Sequence, residues 1–297
     1  EATRAAGKIT FTKSTPDNSV TVPAGTLIQT ERINGVIYNV ATTEQVIIPA
    51  GTQSALIDVT AADSGAAFNL APGYYQILPK AIDGIASVRN GDDWLTRPGA
   101  DRESDDELKD RCRNQFNLAG SYHTDAVYRS LIAAQAGITI DRIFFLHDAP
   151  RGPGTANAYL LLDTGVISQP YVDSVNQYIT DQGHHGHGDD MRCFAMPETR
   201  HTLAVTVYVE NLSSISSDDI DALKSGVENL IRCAFRENSN YDVVRTWPYS
   251  RFSFSQLGRE LHNAFTLVDS VTFSLADIES DLAIPRLNTL TVEVQNA

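Results

Sequence analysis

Residues 85–113 decide how this chain divides, and they read I-A-S-V-R-N-G-D-D-W-L-T-R-P-G-A-D-R-E-S-D-D-E-L-K-D-R-C-R. The stretch begins at the end of a β pattern, and Pro98-Gly99 then breaks the chain. Ser104 lies three residues before Glu107, which is the spacing of a capping box at a helix N-terminus. The sequence therefore predicts a β module that ends near residue 88 and a capped helix that opens a second module.

The predicted helix carries apolar residues at a spacing of four, namely Leu108, Cys112 and Phe116. This spacing predicts one apolar stripe along the helix. Cys112, and Cys233 on a later helix, lie on such apolar faces, so we expect both thiols in the core and not as nucleophiles.

The region before the helix, residues 7–88, reads as all-β. Two similar phrases recur, V-T-V-P-A-G-T at 20–26 and V-I-I-P-A-G-T at 46–52, and a looser third, N-L-A-P-G-Y-Y, lies at 69–75. In the first two phrases, an apolar run is stopped by turn chemistry. Repeated strand-turn units of this kind predict a small β-sandwich or barrel.

Beyond residue 102, helix and strand patterns alternate. A helix is predicted to open at Thr124-Asp125 and to end at Gly137, and another to be capped by Ser168. Ile138 and Ile140 are read as the beginning of the strand that continues to residue 146. A long helix is predicted to open at Ser216 with inward residues Ile220, Leu223, Val227, Leu230, Ile231 and Ala234.

Strands covered by pairs of helices predict an α+β fold. We expect a β module at 1–90, a first α+β module at 91–190 and a second α+β module at 191–297.

Composition excludes several classes of function. The chain has 23 Lys plus Arg against 37 Asp plus Glu, a net charge of −14, which disfavours a binder of nucleic-acid phosphates. The three cysteines are scattered without metal or redox spacing, which suggests reduced thiols in a cytoplasmic compartment. No apolar run approaches the ~20 residues of a membrane-spanning helix, and no signal peptide is recognised.

One local cluster has the residue types of a metal site. His184, His185 and His187 lie within the phrase G-H-H-G-H-G-D-D at 183–190, and Asp189 and Asp190 follow them. Imidazole and carboxylate are ligands of Zn, Ni or Fe. The alternative is a polar turn that joins a helix to a strand, and neighbouring ligands on a glycine-rich loop favour that interpretation. No metal ligand is therefore assigned.

The other candidates for chemistry are weaker. The adjacent carboxylates Asp92-Asp93 and Asp105-Asp106 could form acid-base pairs, but neighbours in a turn or a helix start do not converge on one atom. Gly152-Pro153-Gly154 lacks the Lys and the helix of a phosphate loop, so it predicts a hairpin connection. Neither a catalytic nor a cofactor-binding residue is assigned. Exposed aromatics on the β module would suggest glycan binding, with Tyr74, Tyr75 and Trp94 as the candidates.

Two phrases together resemble the baseplate J-like family. They are I-x-G-I-x-S-V-x-N at 82–90 and E-S-D-D-E-L-K-D-R at 103–111, and the resemblance covers most of the chain. The family shows Gly-Gly before the Asp, whereas this chain has Gly99-Ala100-Asp101. The resemblance implies a β domain beside two α+β units. It also implies an additional N-terminal region, so a chain that starts at Glu1 is expected to be a fragment.

The resemblance implies a structural protein and not an enzyme. Family members are wedge subunits of contractile phage tails and related injection or secretion machines. The expected partners are other wedge subunits, neighbouring tail proteins and further copies in a ring, with no nucleic acid, membrane or cofactor. The expected location is the virion tail baseplate, after assembly in the host cytoplasm. Two other classes stay open: a metal-dependent enzyme that uses the His-rich loop, and a glycan-binding β module.

Overall fold

The computed structural model describes residues 2–117 and 124–297, with the side chains of all of these except 114–117 and 136. The chain forms two compact units. The first contains residues 1–31 and 37–195, and the second contains 32–36 and 196–297.

The first unit begins with a β module. Its strands are β1 (Arg4–Lys13), β2 (Val20–Val22), β3 (Leu27–Gln29), β4 (Asn39–Thr42), β5 (Val46–Ile48), β6 (Ser54–Ser64), β7 (Ile85–Arg89) and β8 (Leu95–Arg97). The main sheet has the order β3-β4-β6-β1-β7, and β8 also pairs with β1. Alternate residues of β1 point inward, so Ile9 and Phe11 are fully buried.

The two Pro-Ala-Gly phrases pair with each other. β2 and β5 are antiparallel, with Val20 opposite Ile48 and Val22 opposite Val46. The third phrase, at 69–75, forms turns and not a strand. Tyr75 in that phrase is buried, and its hydroxyl donates to the Phe68 carbonyl oxygen at 2.9 Å. A buried ring needs this local partner, which a regular strand-turn unit would not supply.

Lys13, at the end of β1, is buried with 1% of its surface exposed. Its ammonium donates to three carbonyl oxygens, those of Asn18 at 2.8 Å, Pro49 at 2.8 Å and Pro16 at 3.2 Å. A buried charge is tolerated only when it is hydrogen-bonded in this way. The ammonium therefore joins the end of β1 to the loops that flank both Pro-Ala-Gly strands.

Trp94 lies in the core and not on a glycan-binding surface. It is 3% exposed, and its Nε1 donates to the Leu70 carbonyl oxygen at 3.0 Å. Its ring meets that of Tyr75 edge-on, with centroids 5.2 Å apart. Gly7 permits this approach, because a Cβ there would lie 2.1 Å from the Trp94 carbonyl oxygen. Tyr75 and Trp94 are thus unavailable as exposed platforms.

The first α+β part follows in the same unit. Its elements are α1 (Asp105–Asn117), α2 (Asp125–Ala136), β9 (Ile143–Leu146), β10 (Thr155–Leu160), α3 (Gln169–Asn176) and β11 (Asp190–Ala195). The central strand β10 pairs antiparallel with β9 and parallel with β11. α2 ends at Gly137, which adopts a left-handed conformation as a C-cap. The predicted start of β9 was wrong, because Ile140 begins a 3-10 turn and the strand starts at Ile143.

The N-terminus of α3 is capped from a distance. Ser168 occupies the cap position, but its hydroxyl donates to the Leu95 carbonyl oxygen and makes no cap bond. The Asp93 carboxylate instead accepts from the backbone N–H of Gln169 at 3.1 Å. The predicted Ser168 cap was therefore wrong, since a carboxylate from the turn before β8 supplies the acceptor that a helix N-terminus requires.

The second unit is the second α+β part. Its elements are β12 (Glu198–Val209), α4 (Ser217–Ala234), β13 (Arg251–Phe252), α5 (Phe254–Ala264), β14 (Ser270–Phe273), β15 (Ile278–Glu279) and β16 (Ile284–Asn296). The sheet has the order β14-β12-β16, with β16 parallel to β12. Ser216 caps α4 by accepting from Asp219 N–H at 3.2 Å. The predicted inward residues of α4 are buried, except that Ile220 is half-buried.

The α+β prediction with an N-terminal β module is confirmed. No helix within residues 2–117 and 124–297 is long and apolar enough to span a membrane. The boundaries at residues 90 and 190 stay a prediction.

Candidate assembly surface

The capping box predicted at the start of α1 is formed. Ser104 Oγ accepts from Glu107 N–H at 3.3 Å, and a carboxylate oxygen of Glu107 accepts from Ser104 N–H at 2.8 Å. The Arg111 guanidinium donates two hydrogen bonds to the Glu103 carboxylate, of 2.7 and 3.0 Å. These hydrogen bonds lower the pKa of Glu103 and raise that of Arg111. The first turns of α1 are therefore fixed by contacts within residues 103–111.

The apolar stripe of α1 faces solvent and not the core. Leu108 is 39% exposed, and Cys112 is exposed as well. The prediction that Cys112 is a core thiol was wrong, because α1 packs against α2 and leaves these positions uncovered. The side chain of Phe116 lies outside the described residues. An exposed apolar pair on an acidic helix is suited to contact with another protein.

A groove of about 380 Å³ lies between α1 and α2. Its apolar lining comes from Ala133, Ala134, Ile138 and Ile140. Its acidic lining comes from Asp106, Glu107, Asp110 and Asp141. The two arginines that also line it are held by carboxylates, since Arg111 pairs with Glu103 at 2.7 Å and Arg142 with Asp163 at 3.0 Å. The groove lining thus combines apolar side chains with more acidic than basic ones.

The His-rich loop does not gather ligands around one point. The His184 ring stacks on Tyr178 with centroids 4.2 Å apart, His185 Nδ1 lies 2.9 Å from the Gly186 carbonyl oxygen, and His187 is exposed. The described part of the chain holds no group of three or more His, Cys, Asp or Glu side chains suited to a metal ion.

The two aspartates of this loop have partners in the fold. Asp189 accepts from the Tyr128 hydroxyl at 3.1 Å, and Asp190 accepts from Arg151. Burial is the main cause that raises the pKa of Tyr128, to about 12. The hydrogen bond from Arg151 holds the pKa of Asp190 below its usual range.

Sequence reasoning missed the role of Arg151. Its guanidinium also donates to Asn157 Oδ1 at 2.9 Å and to the carbonyl oxygens of Asp190 at 2.7 Å and Ala156 at 3.2 Å. These bonds join the beginnings of β10 and β11. The only signal in the sequence is an arginine immediately before Gly-Pro-Gly, which by itself predicts no more than a turn.

The adjacent carboxylates serve separate local roles. Asp93 caps α3, as described above, and Asp106 pairs with Lys109 at 2.8 Å on the exposed face of α1. Cys193 and Cys233 are fully buried, which confirms the core interpretation for Cys233. Burial raises the pKa of the Cys193 thiol to about 12. The assignment of no catalytic, cofactor or metal residue stays a prediction.

Comparisons with known proteins bear on the family. Residues 8–97 match the family described as Baseplate J-like protein barrel domain. The chain is 54% identical over 249 residues to gp29 of Haemophilus phage HP1 (strain HP1c1), whose name proposes that it is a baseplate protein. The match covers 84% of this chain and 63% of the phage protein, so the chain spans less than two thirds of that relative.

A solved structure was also matched. It is titled as the cryo-EM structure of the anti-feeding prophage baseplate, 6-fold symmetrised, and the likeness has a TM-score of 0.37 at 13% identity. The match covers 96% of this chain and 76% of that chain, but a TM-score at this level does not establish a shared fold. The barrel match over residues 8–97 and the identity to the phage protein together support a relationship to the baseplate J-like family.

Proposed function

We propose that the chain is a structural subunit of a phage tail baseplate, specifically a wedge subunit of a contractile tail, and not an enzyme. The family relationship supports a baseplate role. The single observation that carries the assembly role is the position of the signature residues 103–111. They form a capped, acidic helix that carries the exposed Leu108 and contributes other side chains to the lining of a groove.

In this proposal the protein acts through surfaces and not through a pocket. Copies join laterally in a ring around the central hub of the virion tail, hold the baseplate closed, and shift at their contacts when the tail fires. Assembly takes place in the host cytoplasm. The β module at 1–90 and the α+β modules at 91–190 and 191–297 form the body that carries these contacts.

The partners are other wedge subunits and neighbouring tail proteins. A stable contact needs about 800 Å² of buried surface on each partner. In a symmetric ring each modest contact is repeated between all neighbouring copies, so the assembly is more stable than one contact alone would make it. Because the groove lining has more acidic than basic side chains, its partner surface should present Lys or Arg around an apolar residue.

The test is co-purification of the tagged chain with the tail proteins encoded by the flanking genes. Leu108→Glu should reduce capture of at least one neighbour, because a charge would enter the contact on α1. Leu56→Glu is the matched control, since Leu56 is 66% exposed on the β module. We expect this control to bind normally. Circular dichroism should show that both variants are folded.

Two outcomes would contradict parts of this proposal. Failure of the unmutated chain to bind any tail protein would remove the wedge role. Normal capture by Leu108→Glu would remove α1 from the contact. The genes that flank this one would separate a phage tail from a related contractile injection or secretion machine.

A further inference from the structure

The long strand β16 forms an open edge of the second unit. It pairs with β12 on one side, from Ile284 opposite Glu198 to Asn296 opposite Val209. Its first four residues are buried, and Arg286 there donates to the carbonyl oxygens of Phe235 and Arg236. From residue 288 onward most side chains are exposed, and only Val292 is buried.

The direction of the backbone groups follows from one bond beyond the strand. Ala297 N–H donates to the Val209 carbonyl oxygen at 3.0 Å, so it points at β12. Backbone groups alternate along a strand, so those of Glu293 and Gln295 also point at β12. Those of Leu290, Val292 and Val294 therefore point away. In the part of the chain that the structure describes, no backbone group is bonded to that side of β16 beyond residue 287.

This edge lacks the features with which proteins block unwanted strand pairing. Such features are short strands, lysines, prolines and bulges. Other sheet edges in the described ranges are short, with four residues in β9 and four in β14, or carry charges, as β11 does with Arg192. In β16 the proline is at 285 and the irregularity follows residue 287, so both lie before the open segment. Residues 289–296 contain a single charged side chain, that of Glu293.

The open segment is complementary to itself in one antiparallel register. With the two-fold axis at Val292, Leu290 of each copy lies opposite Val294 of the other, in hydrogen-bonded pairs. Both side chains are half-buried and pack on the edge of the core, so each would complete the burial of the other. Glu293 then lies opposite Thr291, whereas an axis at Glu293 would set two carboxylates against each other.

We propose that β16 is a homotypic pairing edge. Residues 289–295 bind antiparallel to the same residues of a second copy, which joins the two three-stranded sheets into one continuous sheet. This proposal goes beyond the baseplate role and does not depend on it, because it rests on the backbone and side chains of one strand.

The test uses charge at Thr291, which is exposed and whose backbone groups point at β12. In the proposed register Thr291 and Glu293 form non-hydrogen-bonded pairs, in which side chains are closest. We expect the unmutated chain to dimerise in sedimentation velocity measurements over a concentration series. Thr291→Glu should weaken the dimer about tenfold and Thr291→Lys should tighten it, because the two-fold axis makes each pair occur twice.

Ser54→Glu on β6 is the control for added negative charge, and it should leave the dimer unchanged. A chain that remains monomeric in both the unmutated and the Thr291→Lys forms would overturn the proposal. So would a dimer that is indifferent to both Thr291 substitutions, because the pairing surface would then lie elsewhere. Capture of another tail protein that is lost in Thr291→Glu, without any dimer, would assign the edge to a foreign strand and would also overturn self-pairing.

Discussion

Replacing Lys13 with Met should destabilise the first unit, because its buried ammonium is the shared donor to three backbone carbonyl groups. Met keeps the length and the apolar stem of the side chain and removes only the charge and its donors. The Pro16 carbonyl oxygen keeps a second bond, from Gly51 N–H at 2.8 Å. The Pro49 carbonyl oxygen also keeps a second bond, a long one from Thr52 N–H at 3.4 Å. The loss therefore falls fully on Asn18 and partly on Pro49, each of which accepts from the ammonium at 2.8 Å.

The expected magnitude is the balance of two opposing effects. An acceptor left without its donor costs ~1–3 kcal/mol, which applies in full to Asn18 and in part to Pro49. Met also removes the cost of desolvating an ammonium, which offsets part of that loss. We expect the free energy of unfolding of the first unit to fall by ~1–2 kcal/mol.

Urea unfolding followed by tryptophan fluorescence measures this change. The chain has two tryptophans, so a Trp247→Phe background leaves Trp94 as the reporter of the β module. Lys8→Met is the matched control, because Lys8 lies on the same strand with its side chain 48% exposed and 3.8 Å from Asp58. A surface pair of this kind contributes ~0–1 kcal/mol.

The reasoning would be refuted by a Lys13→Met protein whose unfolding midpoint matches that of Lys8→Met. A more stable variant would be equally damaging, since it would mean that desolvation of the ammonium outweighs its three hydrogen bonds.

Three further predictions concern local contacts. Ser104→Ala should lower the free energy of unfolding by ~1 kcal/mol through loss of the helix cap. Glu107→Ala should cost less in the Ser104→Ala protein than in the unmutated protein, and strictly additive effects in thermal unfolding would contradict the reciprocal capping box. Replacing His184, His185 and His187 together with Ala should leave the melting temperature within a few degrees of that of the unmutated protein. A large fall that a chelator reproduces in the unmutated protein would instead indicate a structural metal. Maleimide at pH 8 should label Cys112 in the folded protein but not Cys193, because the Cys193 thiol is buried and its pKa is raised to about 12. Mass spectrometry of tryptic peptides identifies the labelled cysteine, and labelling of Cys193 in place of Cys112 would contradict the prediction.

Local patterns in the sequence predicted much of the fold. The Ser104–Glu107 and Ser216–Asp219 spacings both give real caps, because such bonds join residues three apart. The apolar period of α4 likewise predicted the side chains that it buries, since one helix face meets one sheet. These features need only a few consecutive residues to be read correctly.

The misses depend on contacts between distant residues. The period of α1 was read correctly, but no local pattern tells whether Leu108 meets a core or solvent. The same holds for Asp93, which serves a helix 76 residues further along the chain. The sequence around Arg151 likewise predicts only a turn residue, because its role depends on the pairing of β10 with β11 in the fold. Sequence periodicity identifies a face, whereas what covers that face is decided by the tertiary fold.

The cap that Asp93 provides for α3 has a consequence for the order of folding. Since the acceptor belongs to the turn before β8, the first turn of α3 is incomplete until that turn has formed. During synthesis at ~5–20 residues per second, the β module leaves the ribosome several seconds before Gln169 does. A nascent chain stalled just before residue 169 should already contain the folded turn before β8, without α3. Exchange of either segment between related proteins would therefore have to include the other segment as well.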